Sequence, residues 1–269
     1  IGFYDTSDAA YGVAVSGDFL YVADSDSGTG VFDLTDPQTP AEHGRFLSGI
    51  SDWEVTSDSA FLCVSAYNTG TTFYRLDDPV HPSKIGTFLA SYLARAACDG
   101  HYGYIAAGLA GFQIVNLTDS AFPFRTGLLQ VSGAFNDIAL SGDRAYLAHQ
   151  SVGLLITDIS NPANPRELGR YGQFSAASSH ASGIAYDRGL AFLAVETGGV
   201  WVLDVSNPAQ PVPVAAYNTL GSALRVAVSQ DNVYVADHYG VTILKLTRPT
   251  DIGDDHPSIM PGEFELDQN

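Results

Sequence analysis

The chain has 269 residues, 45% hydrophobic and only 16% charged, which excludes an intrinsically disordered protein. Thirty acidic residues against 12 basic ones give a net charge of −18. Phosphate backbones and anionic bilayer surfaces would be repelled, so neither nucleic acid nor membrane is an expected partner, whereas cations or a basic protein face no such penalty.

No apolar run approaches the roughly 18 residues of a membrane span, so no membrane insertion is expected. The chain opens on Ile1 with no signal-peptide pattern, which reads as a processed or excised chain. From residue 12 onward, short apolar stretches are separated by turn chemistry. Gly12–Val15, Phe19–Ala23, Gly30–Leu34 and His43–Phe46 read as four strands, punctuated by Ser16-Gly17-Asp18, Asp24–Gly28 and Asp36–Pro40. The unit then recurs. An aromatic followed by small apolar residues stands at Tyr21, Phe61, Tyr104, Tyr146, Phe192 and Tyr234, about 40–46 residues apart. A glycine opens the next strand at Gly28, Gly70, Gly111, Gly153, Gly199 and Gly240, and a proline stop follows at Pro37, Pro79, Pro162, Pro208 and Pro249, with Ser120 in the third copy. Four short strands per repeat predict an all-β, six-bladed β-propeller of four-stranded blades.

The sixth copy, Leu224–Thr250, has only three strands. Ile1-Gly-Phe-Tyr4 resembles the fourth strands Ile85–Phe88 and Leu168–Tyr171, so residues 1–6 are expected to complete the sixth blade and close the ring, removing two exposed edges. The predicted organisation is a propeller over 1–249 and an acidic tail over 250–269. Within that tail Phe264-Glu265-Leu266 alternates like a strand able to pair with an edge of this ring or of a neighbouring subunit. Cys63 and Cys98 lie in apolar strand patterns and read as buried free thiols.

Within the repeat, Val31-Phe-Asp-Leu-Thr-Asp-Pro37, Ile156-Thr-Asp-Ile-Ser-Asn-Pro162 and Val202-Leu-Asp-Val-Ser-Asn-Pro208 follow one pattern: an apolar strand, an aspartate and a Ser/Thr-Asn/Asp-Pro stop. This unit resembles the LVIVD repeat, over residues 1–249. The resemblance implies a propeller of secreted or surface-attached prokaryotic proteins, hence an extracellular or cell-surface location, with no defined catalytic residues. Copies two, three and six depart from it, with Arg75, Asn116 and Lys245 where the aspartate belongs.

Chemistry is expected where first strands open toward a channel mouth, at Gly12, Asp52, Arg95, Asp137, Gly183 and Arg225. Alternating charges there fit a ring of ion pairs holding blades in register. They also fit a binding site for a polar ligand, or an enzymatic centre carried by Asp52, Arg95, Asp137 and Arg225 acting on a carbohydrate or small acid. His149 and His238 lie on loops expected at the same rim and join the candidate binding residues; together with His180 and nearby carboxylates they could hold a divalent metal. Asp24-Ser-Asp26-Ser-Gly28 has the alternating oxygens and glycine of a calcium loop, although Thr35 stands where an EF-hand has its glutamate. Beyond these candidate metal sites, calcium at Asp24 and Asp26 among them, no cofactor is expected. Asn116-Leu-Thr118 is a sequon for glycosylation that also occupies the repeat's turn. No nucleophile elbow, phosphate loop or dinucleotide motif occurs. The function expected is a non-catalytic structural or adhesive module that binds a protein or assembles with itself, possible contacts including the 250–269 tail. The hydrolase or lyase is the alternative.

Overall fold

The computed structural model describes residues 4–46, 51–67, 69–89, 94–119, 123–172, 180–247 and 265–268. It contains six four-stranded antiparallel sheets in two compact units. The first unit, essentially residues 1–131, holds three sheets: β1 (Gly12–Ser16), β2 (Phe19–Ala23), β3 (Thr29–Asp33) and β4 (Ala41–Phe46); β5 (Asp52–Ser57), β6 (Phe61–Ala66), β7 (Gly70–Arg75) and β8 (Ser83–Phe88); β9 (Arg95–Cys98), β10 (Tyr102–Ala106), β11 (Phe112–Asn116) and β12 (Phe124–Leu129). The second unit, essentially residues 132–269, repeats the plan with β13 (Phe135–Ser141), β14 (Arg144–His149), β15 (Gly153–Asp158) and β16 (Arg166–Tyr171); β17 (Gly183–Asp187), β18 (Leu190–Ala194), β19 (Val200–Asp204) and β20 (Val212–Tyr217); β21 (Ala223–Ser229), β22 (Asn232–Asp237), β23 (Gly240–Thr247) and β24 (Glu265–Gln268). Each sheet is a meander whose sequence neighbours pair.

In the first five sheets the second and third strands are largely buried on both faces, which is why they are nearly continuous apolar runs, and β18, Leu-Ala-Phe-Leu-Ala, is buried at every residue; in the sixth sheet β22 and β23 are more open. The first and fourth strands alternate or are half exposed. Adjacent sheets of one unit stack through their inner strands, β1 against β5 and β5 against β9 in the first unit, β13 against β17 and β17 against β21 in the second. The repeat aspartate sets a local turn. Asp33, Asp158 and Asp204 each accept the backbone N–H two residues on, and Asn116 does the same for Thr118, so the side chain sets the turn leading to the fourth strand.

Two expectations are corrected. The outer edge of the last sheet, predicted for residues 1–6, does not hold the described part of that segment, residues 4–6. It is taken by the C-terminal β24, antiparallel to β23 with Leu246 opposite Leu266. Leu266 is buried in a cluster with Val214, Leu244 and Leu246, an apolar anchor for the closing strand. The N-terminal segment instead lies on the first sheet: the Tyr4 hydroxyl donates to Glu42 at 2.6 Å, and its ring meets Phe32 edge-on. Residues 1–3 fall outside the described residues, as do Ser120, Pro249 and 250–264. The strand predicted in the tail is therefore present and pairs with its own chain.

The second correction concerns the cysteines. They are not free: Cys63 on β6 and Cys98 on β9 form a disulfide linking the second and third sheets. Register explains the pairing. Tyr21, Tyr104, Tyr146, Phe192 and Tyr234 occupy equivalent ladder positions, and the equivalent residue of the second sheet is Cys63, opposite Phe73, and not Phe61. Cys98 is in turn equivalent to Tyr186, since each lies opposite the residue preceding the aromatic position. In the second unit this pair of positions holds Tyr146 and Tyr186, whose rings stack at 4.6 Å. One facing position between sheets is thus bridged by a covalent bond in one unit and by aromatic contact in the other.

Candidate functional site

The same shift of register redraws the charged set on the first strands. Bulges between Asp52 and Glu54, Phe135 and Asp137, and Ala223 and Arg225 insert one residue into β5, β13 and β21. The equivalent positions, opposite Ala23, Ser65, Ala106, Ala148, Ala194 and Ala236, are Gly12, Glu54, Arg95, Asp137, Gly183 and Arg225. Glu54 therefore belongs in the set and Asp52 does not. Asp52 is buried one step away, accepting the Thr29 hydroxyl at 2.7 Å. Sequence reasoning missed Glu54 because the anchor had been placed on Phe61; aligning Cys63 with the aromatics would have found it.

In the first unit, Arg95 Nη1 and Glu54 Oε2 form a nearly buried ion pair between β9 and β5. That pair fits the structural reading, charges tying neighbouring blades together. In the second unit the charges are arranged differently. Asp137 accepts the N–H groups of Ile138 at 2.9 Å and Ile184 at 3.0 Å. Arg225 donates through Nη1 to the carbonyls of Ser182 and Leu224, both at 2.7 Å. Each is thus bonded to β17 or the residue just before it, on either side of Gly183, and backbone groups replace an ion pair. Gly183 permits this closeness: a Cβ there would lie 2.8 Å from the Leu224 carbonyl oxygen. Asp137 as a whole residue is only partly covered, but its carboxyl is packed deep among protein atoms. This desolvation pushes its pKa up to about 7 against the two N–H bonds that lower it. Burial likewise pulls Arg225 down to about 10.

The remaining predicted residues do not converge. Asp24 is fully buried, and its carboxylate is already committed: Arg45 Nη1 lies 2.7 Å from Oδ2, while the N–H groups of Ser7 and Asp8 each donate at 3.1 Å. Asp26 is exposed. The calcium loop read from these two aspartates is therefore organised around an arginine, a cation the sequence reading overlooked. Among the described residues no three His, Cys, Asp or Glu side chains come together to hold a metal. His149 is a core histidine: it is buried, its ring meets Phe135 edge-on at 4.7 Å, and Nδ1 accepts the N–H groups of Ser151 and Val152. His180 faces Glu196 at 3.4 Å on the fifth sheet. Asn116 accepts the hydroxyl of Thr118 as well as its N–H, which occupies the sequon's amide oxygen in the turn.

His238 lines a recess of about 430 Å³ in the second unit, built by the loops Thr197, Asn218–Ser222 and His238–Tyr239. Leu220 and Tyr239 stand together at it, 93% and 80% exposed. A second cavity, of about 520 Å³, lies between the fourth and fifth sheets, lined by Arg144, Tyr146, Asp158 and Tyr186 among others.

Six four-stranded antiparallel meanders in succession, stacked within each unit through their first strands, define a β-propeller, and solved structures share this fold. The chain is similar to the β-propeller domain of Myceliophteria thermophila Cps50 (Swd1), with TM-score 0.72, 17% identity, 90% of this chain and 83% of that one covered. It is similar also to a chain of the Mitotic Checkpoint Complex (TM-score 0.70, 12% identity, 88% and 73%) and to Saccharomyces cerevisiae Sqt1 (TM-score 0.66, 8% identity, 94% and 92%). At these identities the likeness is one of fold. No curated protein matches the chain. The LVIVD repeat profile matches residues 8–48, 132–173, 179–219 and 220–246, more than half of the chain, and the chain belongs to the LVIVD-repeat family.

Proposed function

We propose that this propeller is an extracellular or cell-surface, non-catalytic module that binds a protein partner through the recess of the second unit. The carrying observation is the joint exposure of Leu220 and Tyr239 at a loop-built hollow whose other side chains are hydroxyls, an amide and the His238 imidazole. An aliphatic and an aromatic anchor surrounded by adaptable polar groups is the usual composition of a protein contact. The net charge of −18 selects a partner with a basic rim and makes association sensitive to salt. The disulfide between the second and third sheets supports an oxidising compartment.

A photo-crosslinking amino acid at Tyr239 tests the reading on intact cells of the source organism. A crosslinked polypeptide that is lost in the Leu220→Ser variant and weakened by high salt is expected. A product of twice the chain's own mass identifies a second copy as the partner. Crosslinking that is absent, or unaffected by Leu220→Ser, removes the recess as the contact site.

A second reading is favoured by the setting of the Asp137 carboxyl, which accepts two backbone N–H groups and, among the described residues, has no cation beside it, so that burial pushes its pKa up to about 7. Such a group suits general acid work on a glycoside or a small acid. Turnover of a substituted phenyl glycoside that disappears in Asp137→Asn would favour this enzyme reading over the binding module.

A further inference from the structure

We propose that the cavity between the fourth and fifth blades binds a uronic acid, a sugar bearing one carboxylate, with that carboxylate on Arg144. The repeat supplies an internal control. Arg144 opens the second strand of its blade, and the equivalent residues of the other five are Phe19, Phe61, Tyr102, Leu190 and Asn232. Blade packing therefore asks for an apolar or neutral residue there, and only the fourth blade places a cation.

That cation keeps its charge available. Its cross-strand neighbour Asp158 is committed elsewhere, to the N–H and hydroxyl of Ser160 at 2.9 and 2.6 Å and to Arg166 through Nε and Nη2 at 3.0 and 2.9 Å. Among the described residues Arg144 forms no ion pair. Its guanidinium lies instead beside the phenol of Tyr146, whose ring stacks on Tyr186 to floor the cavity. A planar guanidinium braced in this way can present its fork to a carboxylate.

The rest of the lining selects the ligand. Ser141 offers a hydroxyl and Asp143 a carboxylate at the exposed lip, both suited to sugar hydroxyls, while Leu168 and Pro208 give apolar walls. A neutral sugar would leave Arg144 without an anion. A dianion would be repelled by Asp143 and by the strongly negative chain. A monoanion rich in hydroxyls satisfies both constraints, and about 520 Å³ lies in the range of small-molecule sites.

Calorimetric titration of the full chain with glucuronate, glucose and acetate tests the proposal, with a glucuronate-terminated disaccharide as a further arm. Saturable binding of glucuronate is expected, with glucose and acetate each at least about tenfold weaker, because each lacks half of the recognised chemistry. Tighter binding of the disaccharide would identify a polymer end as the source. Arg144→Gln should weaken glucuronate at least about tenfold, and Arg170→Gln, the same charge change outside the cavity, should leave it unaltered. If Arg144→Gln melts early, Arg144→Lys serves in its place and should weaken binding several-fold through loss of the fork. No saturable glucuronate binding at millimolar concentration, acetate or glucose bound equally well, or indifference to the Arg144 variants would each overturn the proposal.

Discussion

Reduction of Cys63–Cys98 should destabilise the protein by an amount that the chain itself sets. The two residues are 35 apart in sequence. The loop-closure entropy removed from the unfolded chain by a link of that span corresponds to about 4 kcal/mol at 25 °C. For a chain of this length that loss lowers Tm by about 7 °C. The link also joins two sheets: Cys63 is buried among Phe61, Phe73 and Ile105, on the face where the third blade's Ala96 packs. Urea unfolding with and without reductant isolates the bond, since no side chain is changed. The Cys63→Ala/Cys98→Ala variant should then show no dependence on reductant. Thiol titration of the denatured chain should find none before reduction and two after. Two thiols in the unreduced protein, or a reductant effect below about 1 kcal/mol, would refute the reasoning, the first by showing no bond and the second by showing that the closed loop constrains little.

Deleting 264–269 should expose the edge of β23 and the apolar surface under Leu266, costing about 2–4 kcal/mol in thermal or urea unfolding, whereas deleting 1–6 removes the Tyr4 contacts and should cost about 1 kcal/mol. Equal effects would contradict the assignment of the outer strand. Glu54→Gln should leave Arg95 buried without its counter-charge and cost about 3–5 kcal/mol, a loss absent from Asp52→Asn if Asn keeps the Thr29 contact. Asp137 binds its proton more tightly folded than unfolded, so its contribution is present below the unfolded value of 3.8 and is lost as pH rises toward about 7. Stability should therefore fall between those values by on the order of 2–4 kcal/mol more in the wild type than in Asp137→Asn, and identical slopes would show that the carboxyl titrates normally.

The repeat was legible because its signals are local. Strand alternation, glycine at strand openings and Asx turns before proline depend on residues a few positions apart, and these gave six blades and nearly every strand. What escaped depends on contacts between blades. Phe61 and Cys63 are both plausible anchors in the string, and only the ladder, with Cys63 opposite Phe73, decides between them. From that two-residue difference follow the exchange of Asp52 for Glu54 and the facing of the two cysteines. The closing strand escaped for another reason. Ile1-Gly-Phe-Tyr4 matches the fourth-strand pattern, but Leu266 supplies the buried apolar anchor on the last blade, and one alternating triplet in an acidic tail carries little pattern.

A repeated fold separates architecture from function more sharply than a single-copy fold can, because equivalent positions report what packing alone requires. The facing position between blades is satisfied by Cys63–Cys98 in one unit and by Tyr146–Tyr186 in the other, so both solutions are structural despite their different chemistry. The inner charged position is satisfied by Glu54 with Arg95 in one unit and by backbone partners for Asp137 and Arg225 in the other. There the departure is costlier, since desolvation works against both charges and, among the described residues, no ion pair offsets it. Arg144 differs from both cases. It replaces a neutral residue beside a cavity, and its cross-strand carboxylate is already held by Arg166. No other blade has a guanidinium at that position, and the Tyr146 phenol beside it carries no countercharge, which leaves the charge itself to the anion proposed above.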